Sequence, residues 1–422
     1  MATRTVRTLS IRLGEVLVGH LSRYSDGRTI FVFDETYLLL GSERPVLSLS
    51  FTEPGDEERT FEKLQETHSR NIRLPPYFRN LLPEGALREW MARRLGTTPN
   101  DEMALLEGLG RNLPGAVIAE REETPTKLYE RKAARAVAAE EGKPQTLFSL
   151  GGAQLKFTMV KQGARFSTTR SSRKSASEWI IKPPHPAFTR VPENEFAMLS
   201  FAKAVGIDTP DAELVDLKEL DPGEDANVLV ARGEQLAYAI KRFDREADGT
   251  RIHTEDFAQV FAVDPEDEYS ATNYDTVGNL IFGMFPRPYE QLTEYVRRLV
   301  FMILIGNSDV HLKNWSVIYR DGSTPQLSPA YDLVSTIQYV PDNRTLALNI
   351  RREREFARLS TDHFARMARR IGVSPEFVLK VVDETIDRAR DSWPQIARQL
   401  PKELKASLGA HSKTLAKEFR IT

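Results

Sequence analysis

The sequence predicts an α+β protein, in which an N-terminal sheet-plus-helix module is followed by a bilobal unit with a mostly helical C-terminal lobe. Residues 1 to about 53 alternate apolar and polar side chains in places, as antiparallel strands do. From Leu147 onward the chain is strand-rich to about Phe243 and mostly helical after it. Between these parts, residues 119–146 consist largely of Glu, Lys, Arg, Ala and Thr, which is typical of a solvated linker.

The first part of the chain indicates a small antiparallel sheet. Side chains alternate over residues 8–13, and short apolar runs follow at residues 16–18 and 30–33. Gly14 and the pair Asp26-Gly27 lie where tight turns would connect such strands.

A helical part completes this module. Leu74-Pro75-Pro76 interrupts the strand pattern, and Pro83-Glu84-Gly85 marks a helix start. Apolar residues then recur at helical spacing, namely Leu87, Trp90, Met91 and Leu95. We predict an α+β module over residues 1–120, a linker over 121–146, a small lobe over 147–245 and a helical lobe over 246–422.

The composition is that of a globular protein with a sizeable core. The chain has 422 residues, of which 41% are hydrophobic and 28% charged. It has no cysteine, which excludes disulfides and thiolate metal sites and fits a reducing compartment. No run approaches the roughly 18 apolar residues that span a bilayer, so we expect a cytoplasmic protein without a membrane segment or signal peptide.

The segment Asn307-Ser308-Asp309-Val310-His311-Leu312-Lys313-Asn314 carries the strongest chemical signal. Asp309 and Asn314 are spaced Asp-x-x-x-x-Asn, and Asp332 follows later in the chain. Phosphoryl transfer needs one carboxylate to accept a hydroxyl proton, and an amide and a second carboxylate to hold Mg²⁺. An apolar helix over Tyr295 to Ile305 and a strand over Trp315 to Tyr319 would flank the segment, which is the order in protein kinases. The alternative is a chance match, in which Ser308-Asp309 only begins a turn.

Upstream segments supply the other parts of such a site. Gly151-Gly152 precedes a strand-like run and would let the backbone approach a phosphate, although on its own such a segment is more often a hairpin turn than a nucleotide loop. Lys182 lies in the short apolar strand that begins at Trp179, and its ammonium needs a partner such as Glu195 unless it reaches water. The strand Leu236 to Ile240 runs into a polar connector. In a kinase-like unit this connector would be the hinge at which a nucleotide base meets the backbone; the alternative is an ordinary surface strand with charged flanks.

With these parts in order, the chain resembles the HipA family of bacterial serine/threonine kinase toxins over nearly its whole length. The unit after the linker is then expected to be protein-kinase-like. The residues that carry the resemblance are Ser149 to Lys156, Ile181-Lys182-Pro183, Glu193-Asn194-Glu195, Lys241 to Arg245, Gly306 to Asn314, Ser328 to Leu333, and Phe78 to Gly85.

The resemblance implies a role for individual residues. Asp309 would be the catalytic base, and Asn314 and Asp332 would hold Mg²⁺. Lys182 would hold nucleotide phosphates, and Ser149 would be autophosphorylated. Two positions depart from the family: Leu155 stands in the phosphate loop where some members have a glutamate, and Lys241 stands in the hinge where some have a glutamate. The remaining ATP contacts would come from the phosphate loop (Gly151, Gly152, Ala153, Gln154, Leu155, Lys156), the hinge (Lys241, Arg242, Phe243), and His311, Lys313 and Tyr331.

The C-terminal part of the chain is basic. Residues 351–422 hold 16 Lys and Arg against 10 Asp and Glu, in a chain of net charge -2. A helix over Ser360 to Ile371 would expose Arg369 and Arg370 near its end. In one interpretation these arginines simply form a solvated face with favourable charges at the helix C-terminus. The resemblance implies the alternative, that they contact DNA phosphates, because family members sit on operator DNA with a helix-turn-helix antitoxin.

Three functions remain in competition on this basis. The first is an ATP- and Mg²⁺-dependent serine/threonine kinase toxin that phosphorylates a translation protein, since the resemblance points to targets such as aminoacyl-tRNA synthetases. The second is a catalytically idle co-repressor bound to DNA with its antitoxin. The third is a small-molecule kinase, which the large N-terminal module disfavours.

Overall fold

The computed structural model describes residues 5–122, 156–163, 165–168, 179–221, 233–246 and 248–422, and it confirms the predicted α+β fold class. The predictions for Ser149 and for residues 151–155 lie outside these ranges, as does nearly all of the predicted linker. The division into domains at the stated boundaries stays a prediction.

The N-terminal module contains a five-stranded antiparallel sheet with the order β4-β3-β2-β1-β5. The alternation predicted from the sequence places Leu9, Ile11 and Leu13 on the buried face. Gly14 takes a positive φ of 57° in the turn between the first two strands, where glycine avoids the cost of a Cβ. The strands are β1 (Thr5–Leu13), β2 (Val16–Tyr24), β3 (Arg28–Phe33), β4 (His68–Asn71) and β5 (Val117–Arg121).

Short helices cover this sheet. The predicted helix after Pro83-Glu84 begins at Gly85, and Leu87 and Met91 are buried as expected. Leu95 lies beyond the helix end and is 41% exposed, because the chain turns at Gly96 with a φ of 63°. The helices are α1 (Glu35–Leu38), α2 (Glu57–Gln65), α3 (Pro76–Asn80), α4 (Gly85–Arg94) and α5 (Glu102–Leu109).

The small lobe is a six-stranded sheet with one long helix, α6 (Val191–Val205), against it. Two prolines follow the strand that carries Lys182 and end it, as predicted. The sheet order is β10-β7-β6-β8-β11-β9. Its strands are β6 (Phe157–Gln162), β7 (Arg165–Ser167), β8 (Trp179–Lys182), β9 (Ala212–Asp216), β10 (Leu220–Asp221) and β11 (Leu236–Lys241).

The large lobe is mostly helical around one apolar core. Its helices are α7 (Phe257–Val260), α8 (Tyr274–Met284), α9 (Pro288–Ile305), α10 (Thr361–Ile371), α11 (Pro375–Gln399) and α12 (Lys402–Thr414). Its strands are β12 (His253–Asp256), β13 (Ser316–Tyr319) and β14 (Gln326–Leu327) in one sheet, and β15 (Thr345–Ile350) and β16 (Glu353–Glu355) in a hairpin.

Helix α9 is the buried helix expected before residues 307–314, the predicted catalytic loop, and Arg298 on this helix is buried as well. Arg298 is 3% exposed and donates to the backbone oxygen of Ser328 at 2.7 Å and to the Glu294 carboxylate at 2.8 Å. Its guanidinium therefore fixes the segment that leads to Asp332. Within the described ranges, no helix is long and apolar enough to cross a membrane.

A buried cluster of ion pairs and hydrogen bonds joins the N-terminal module to the lobes. The Asp244 carboxylate accepts two hydrogen bonds from Arg242, at 2.8 and 2.7 Å, and one from the Gly115 amide at 2.9 Å. Arg245 donates to the same carboxylate and to the Gly115 oxygen. Burial opposes ionisation of Asp244, but the two arginines overcome it and hold the pKa of Asp244 well below its usual range.

We expect Asp244→Ala to lower the free energy of unfolding by about 3 kcal/mol, because it leaves the Arg242 and Arg245 charges buried without their partner. Urea denaturation followed by circular dichroism measures this loss. The exposed neighbour Glu246 provides the matched variant, Glu246→Ala, which should change the midpoint little. Equal effects of the two substitutions would contradict the structural role of Asp244.

Candidate active site

A cleft of about 450 Å³ lies where the N-terminal module, the small lobe and the large lobe meet. Most of the candidate residues in the described ranges line this one cleft. They are Lys156, Lys182, Lys241, Arg242, Phe243, Asp309, His311, Lys313, Asn314, Tyr331 and Asp332.

Lys182 is the buried cation at the centre of the cleft. Its Nζ donates to Glu195 Oε2 at 2.6 Å and also bonds Asp332 Oδ1. Burial disfavours the ammonium, but the two carboxylates more than compensate and raise the pKa of Lys182. The ion pair predicted between Lys182 and Glu195 is thus present, and Asp332 is its third member.

Asp332 is held in an unusual backbone conformation. Its φ is 53°, in the left-handed region that residues with a Cβ seldom adopt. Burial would raise its pKa, but Lys182 and then Lys156 lower it well below the usual range, so the carboxylate stays ionised. An ionised carboxylate that faces the cleft has the chemistry of a Mg²⁺ ligand.

Asn307 connects the two acids of the site. Its side chain is fully buried, its Oδ1 accepts the Asp309 amide at 3.0 Å, and its Nδ2 lies 3.4 Å from the Asp332 backbone oxygen. The start of the catalytic loop and the later acid are therefore held together by one amide side chain.

The Asp309 carboxylate is exposed at the cleft mouth. Its Oδ1 accepts a hydrogen bond from the Tyr269 hydroxyl, and the Tyr269 ring packs against His311 with centroids 4.7 Å apart. The Asn314 Nδ2 donates to the Asp309 backbone oxygen at 2.6 Å, which leaves the Asn314 Oδ1 for a metal ion. Asp309 is thus oriented by its neighbours and still accessible to a substrate hydroxyl.

The N-terminal module contributes directly to this loop. The Lys313 ammonium forms an ion pair with Glu84, which precedes helix α4. His311 accepts the Lys313 amide through Nδ1 at 3.3 Å, and burial lowers the pKa of His311, so its imidazole is neutral near pH 7.

The other end of the cleft is apolar enough for a planar base. Ile180 and Ile240 line it, and Phe243 faces Tyr331 with ring centroids 5.7 Å apart. The Lys241 amide donates to the Asp211 oxygen at 2.8 Å, so this N–H already has a partner within the protein. The Arg242 guanidinium is paired with Asp244. Of the three predicted hinge residues, Phe243 is therefore the one whose side chain is placed to pack beside a base.

The donor set fits a nucleotide with Mg²⁺. Among the residues described, no group of three or more His, Cys, Asp and Glu side chains can hold a metal ion by itself. Mg²⁺ at phosphoryl-transfer sites needs only one or two protein oxygens, here Asp332 and Asn314, because phosphates and water supply the rest. Lys156 is 7% exposed, and burial lowers its pKa, so an anionic phosphate would stabilise its charged form.

Two groups of predicted residues do not belong to this cleft as described. Ser149, Gly151, Gly152, Ala153, Gln154 and Leu155 lie outside the described ranges. Arg369 and Arg370 are exposed at the end of α10 and do not line the cleft.

Sequence reasoning missed three contributors: Asn307, Tyr269 and Glu84. Asn307 stands two residues before Asp309, and its short amide side chain is suited to capping the loop, so this signal was available. Tyr269 and Glu84 are 40 and 229 residues from their partners, and no local pattern links them.

The comparisons with known proteins agree with this arrangement. A family model of the HipA-like C-terminal domain matches residues 148–393, and one of the HipA N-terminal domain matches residues 9–120. The putative kinase Y4dM of Sinorhizobium fredii is 41% identical over 420 residues, covering 98% of this chain and 99% of that protein.

A more distant relative is the serine/threonine-protein kinase toxin HipA of Shewanella oneidensis. It is 24% identical over 448 residues, which cover 98% of this chain and 95% of that one. The solved complex of HipA, HipB and operator DNA from Shewanella oneidensis MR-1 includes a chain that superposes with a TM-score of 0.69 at 19% identity, covering 97% of this chain and 96% of that one.

The fold is that of a bilobal, protein-kinase-like domain preceded by a sheet-plus-helix module. With both of its domain models matched, the chain belongs to the HipA family.

We expect Lys182→Met to lower the free energy of unfolding by about 3 kcal/mol and to reduce affinity for Mg²⁺–ATP, because Glu195 and Asp332 would lose their common cation. Thermal unfolding and binding of a fluorescent ATP analogue measure the two effects. Lys203→Met is the matched control, since this lysine is exposed on the same helix as Glu195. Unchanged nucleotide affinity in Lys182→Met would show that the ion pairs serve only the fold.

Proposed function

We propose that this protein is an ATP- and Mg²⁺-dependent serine/threonine protein kinase that acts as the toxin of a toxin–antitoxin pair. The observation that supports it most is the convergence of Lys182, Asp309, Asn314 and Asp332 in one cleft. A strand lysine, a catalytic-loop acid and amide, and a later acid are the parts that phosphoryl transfer requires. The coarser assignment as a HipA-like kinase toxin agrees with the names of its relatives.

In this proposal each side chain has a separate task. Asp309 accepts the proton of the substrate hydroxyl while Tyr269 and Asn307 hold its orientation. Lys182 and Lys156 attract nucleotide phosphates, and Phe243 and Tyr331 pack beside the base. Asn314 and Asp332 would hold Mg²⁺, which would supply positive charge to neutralise the phosphates.

The transfer forms one bond and breaks another. The serine or threonine oxygen bonds to the γ-phosphorus, and the bond from that phosphorus to the bridging oxygen of ADP breaks. The hydroxyl proton passes to Asp309, whose carboxylate faces the cleft mouth. ADP leaves with the electron pair of the broken bond.

The partners follow from the relatives. The solved Shewanella complex contains HipB and operator DNA beside HipA, so we propose a helix-turn-helix antitoxin and operator DNA as partners here. We propose a translation protein such as an aminoacyl-tRNA synthetase as substrate, autophosphorylation at Ser149, and action in the cytoplasm.

Asp309→Asn should abolish phosphoryl transfer and leave the fold intact, because the amide cannot accept the hydroxyl proton and has nearly the shape of the carboxylate. Incubation with radiolabelled ATP and Mg²⁺, alone and with a cell extract, followed by mapping of the label, measures this. Asp342→Asn, an exposed acid away from the cleft, is the matched control and should label as the wild type does. If the wild type labels neither itself nor the extract above Asp309→Asn, the kinase proposal fails.

A second candidate function is DNA-bound co-repression, which the exposed pair Arg369 and Arg370 favours. Replacing both with alanine should weaken binding of the protein–antitoxin complex to operator DNA and reduce the salt dependence by about one unit for each lost phosphate contact. Operator gel shifts at several salt concentrations measure this. Arg398→Ala, at an exposed position on α11, is the control. Unchanged operator binding in the double variant would remove Arg369 and Arg370 from the DNA interface.

A further inference from the structure

The end of the cleft beside Asp309 is formed jointly by the N-terminal module and the large lobe. The module contributes Asn80 and Glu84, and the large lobe contributes Asp256 and Glu268. We call these four residues the acidic end. Tyr269, the neighbour of Glu268 in sequence, donates to Asp309, so this end adjoins the catalytic base.

Glu268 is a buried carboxyl group that forms no ion pair with a lysine or arginine of the described residues. It is 7% exposed, and its Oε2 has no hydrogen-bond partner among the described residues. His311 Nδ1 lies 3.7 Å from this oxygen but accepts the Lys313 amide, and burial keeps the imidazole neutral. A neutral ring whose Nδ1 acts as an acceptor cannot donate to Glu268, so the short approach is no salt bridge.

Asn80 supplies a second acceptor that lacks a donor in the described structure. It is 2% exposed, and its Nδ2 donates to the backbone oxygens of Pro76 at 3.0 Å and Val263 at 2.8 Å. These two bonds fix the amide, while its Oδ1 has no partner within the described ranges. A buried acceptor without a donor is costly, so its presence points to a ligand.

The charge at this end is also unbalanced. Lys313 is the cation beside it, and its ammonium already pairs with Glu84. Asp256 accepts the Gln259 amide at 2.8 Å, which caps α7 but supplies no positive charge. The acidic end therefore has more carboxyl groups than the single lysine can neutralise.

We propose that the acidic end is a subsite for a lysine or arginine side chain of the protein substrate, close to the serine or threonine that is phosphorylated; this rests on the proposed kinase function. Ammonium and guanidinium groups carry several donors and a positive charge. Such a group would donate hydrogen bonds to Glu268 Oε2 and Asn80 Oδ1, which have no donor among the described residues. The N-terminal module thus takes part in substrate recognition.

The ionisation of Glu268 agrees with this assignment. Burial, followed by repulsion from Glu84, raises its pKa to about 8, even though Lys313 opposes the shift. Asp256 and Asp309 add further repulsion. A cation placed at this end would relieve the repulsion and favour the ionised carboxylate.

The test uses the full-length protein with Mg²⁺, ATP and a degenerate peptide library that contains one fixed serine. Sequencing of the phosphorylated pool should show lysine and arginine enriched at one or two positions near the serine. We expect basic peptides to react about tenfold better, in kcat/KM, than matched alanine peptides.

Two variants connect that preference to the acidic end. Glu268→Gln and Glu84→Gln keep the size of the side chain and remove the carboxyl group that a bound cation would pair with, so each should reduce the preference for basic peptides to about threefold or less. Asp267→Asn is the matched control, because Asp267 is exposed and does not line the cleft, and it should keep the full preference. Melting temperatures identify any variant that has lost its fold. If one of the two variants does not fold, the peptide preference of the other one tests the role of the acidic end.

The outcomes separate this subsite from the kinase proposal. An enzyme that labels a cell extract but shows no preference for basic residues, or does not phosphorylate the library, overturns the subsite. A preference that survives both Glu268→Gln and Glu84→Gln also overturns it. If neither the library nor the extract is labelled above Asp309→Asn, the kinase function itself fails.

Discussion

The buried ion pairs of Lys182 are the interaction on which the site depends. The lysine comes from the small-lobe sheet, Glu195 from helix α6, and Asp332 from the large lobe, so one ammonium connects three separate elements. Lys182 and Glu195 are almost fully buried, and leaving either charge there without its partner would cost several kcal/mol. The relative position of the lobes is therefore tied to the ion pairs that line the proposed nucleotide site. Asp332 keeps its left-handed backbone within the same network.

The N-terminal module forms part of the wall of the cleft. Arg79 is 4% exposed and donates to Asp264 at 2.7 Å and to Glu266, which fixes the segment that carries Glu268 and Tyr269. Glu84 reaches the catalytic loop from the same module. The segment that Arg79 holds thus also carries Tyr269, whose hydroxyl donates to Asp309.

Much of the fold could be predicted from the sequence, because alternation, helical spacing and proline pairs are local signals. They placed the N-terminal sheet, the Lys182 strand and the helix before the catalytic loop. For the candidates within the described ranges, the order of motifs also predicted which side chains line the cleft, including the Lys182–Glu195 pair. The acidic end could not be predicted, because Asn80 and Glu268 come together only through packing of distant segments. The burial of Arg298 was missed for the same reason, since its partner Ser328 is 30 residues away.

The joint between module and lobes has a consequence for the residues that form it. Arg245 and Arg251 bind the module through the backbone oxygens of Leu113, Gly115 and Val117. Every residue type offers the same carbonyl, so this clamp makes few demands on side chains. Gly115 is the exception, because a Cβ there would lie 2.5 Å from the Thr254 amide nitrogen. At this clamp the residue at position 115 must therefore be glycine, whereas the side chains of Leu113 and Val117 have no part in these hydrogen bonds.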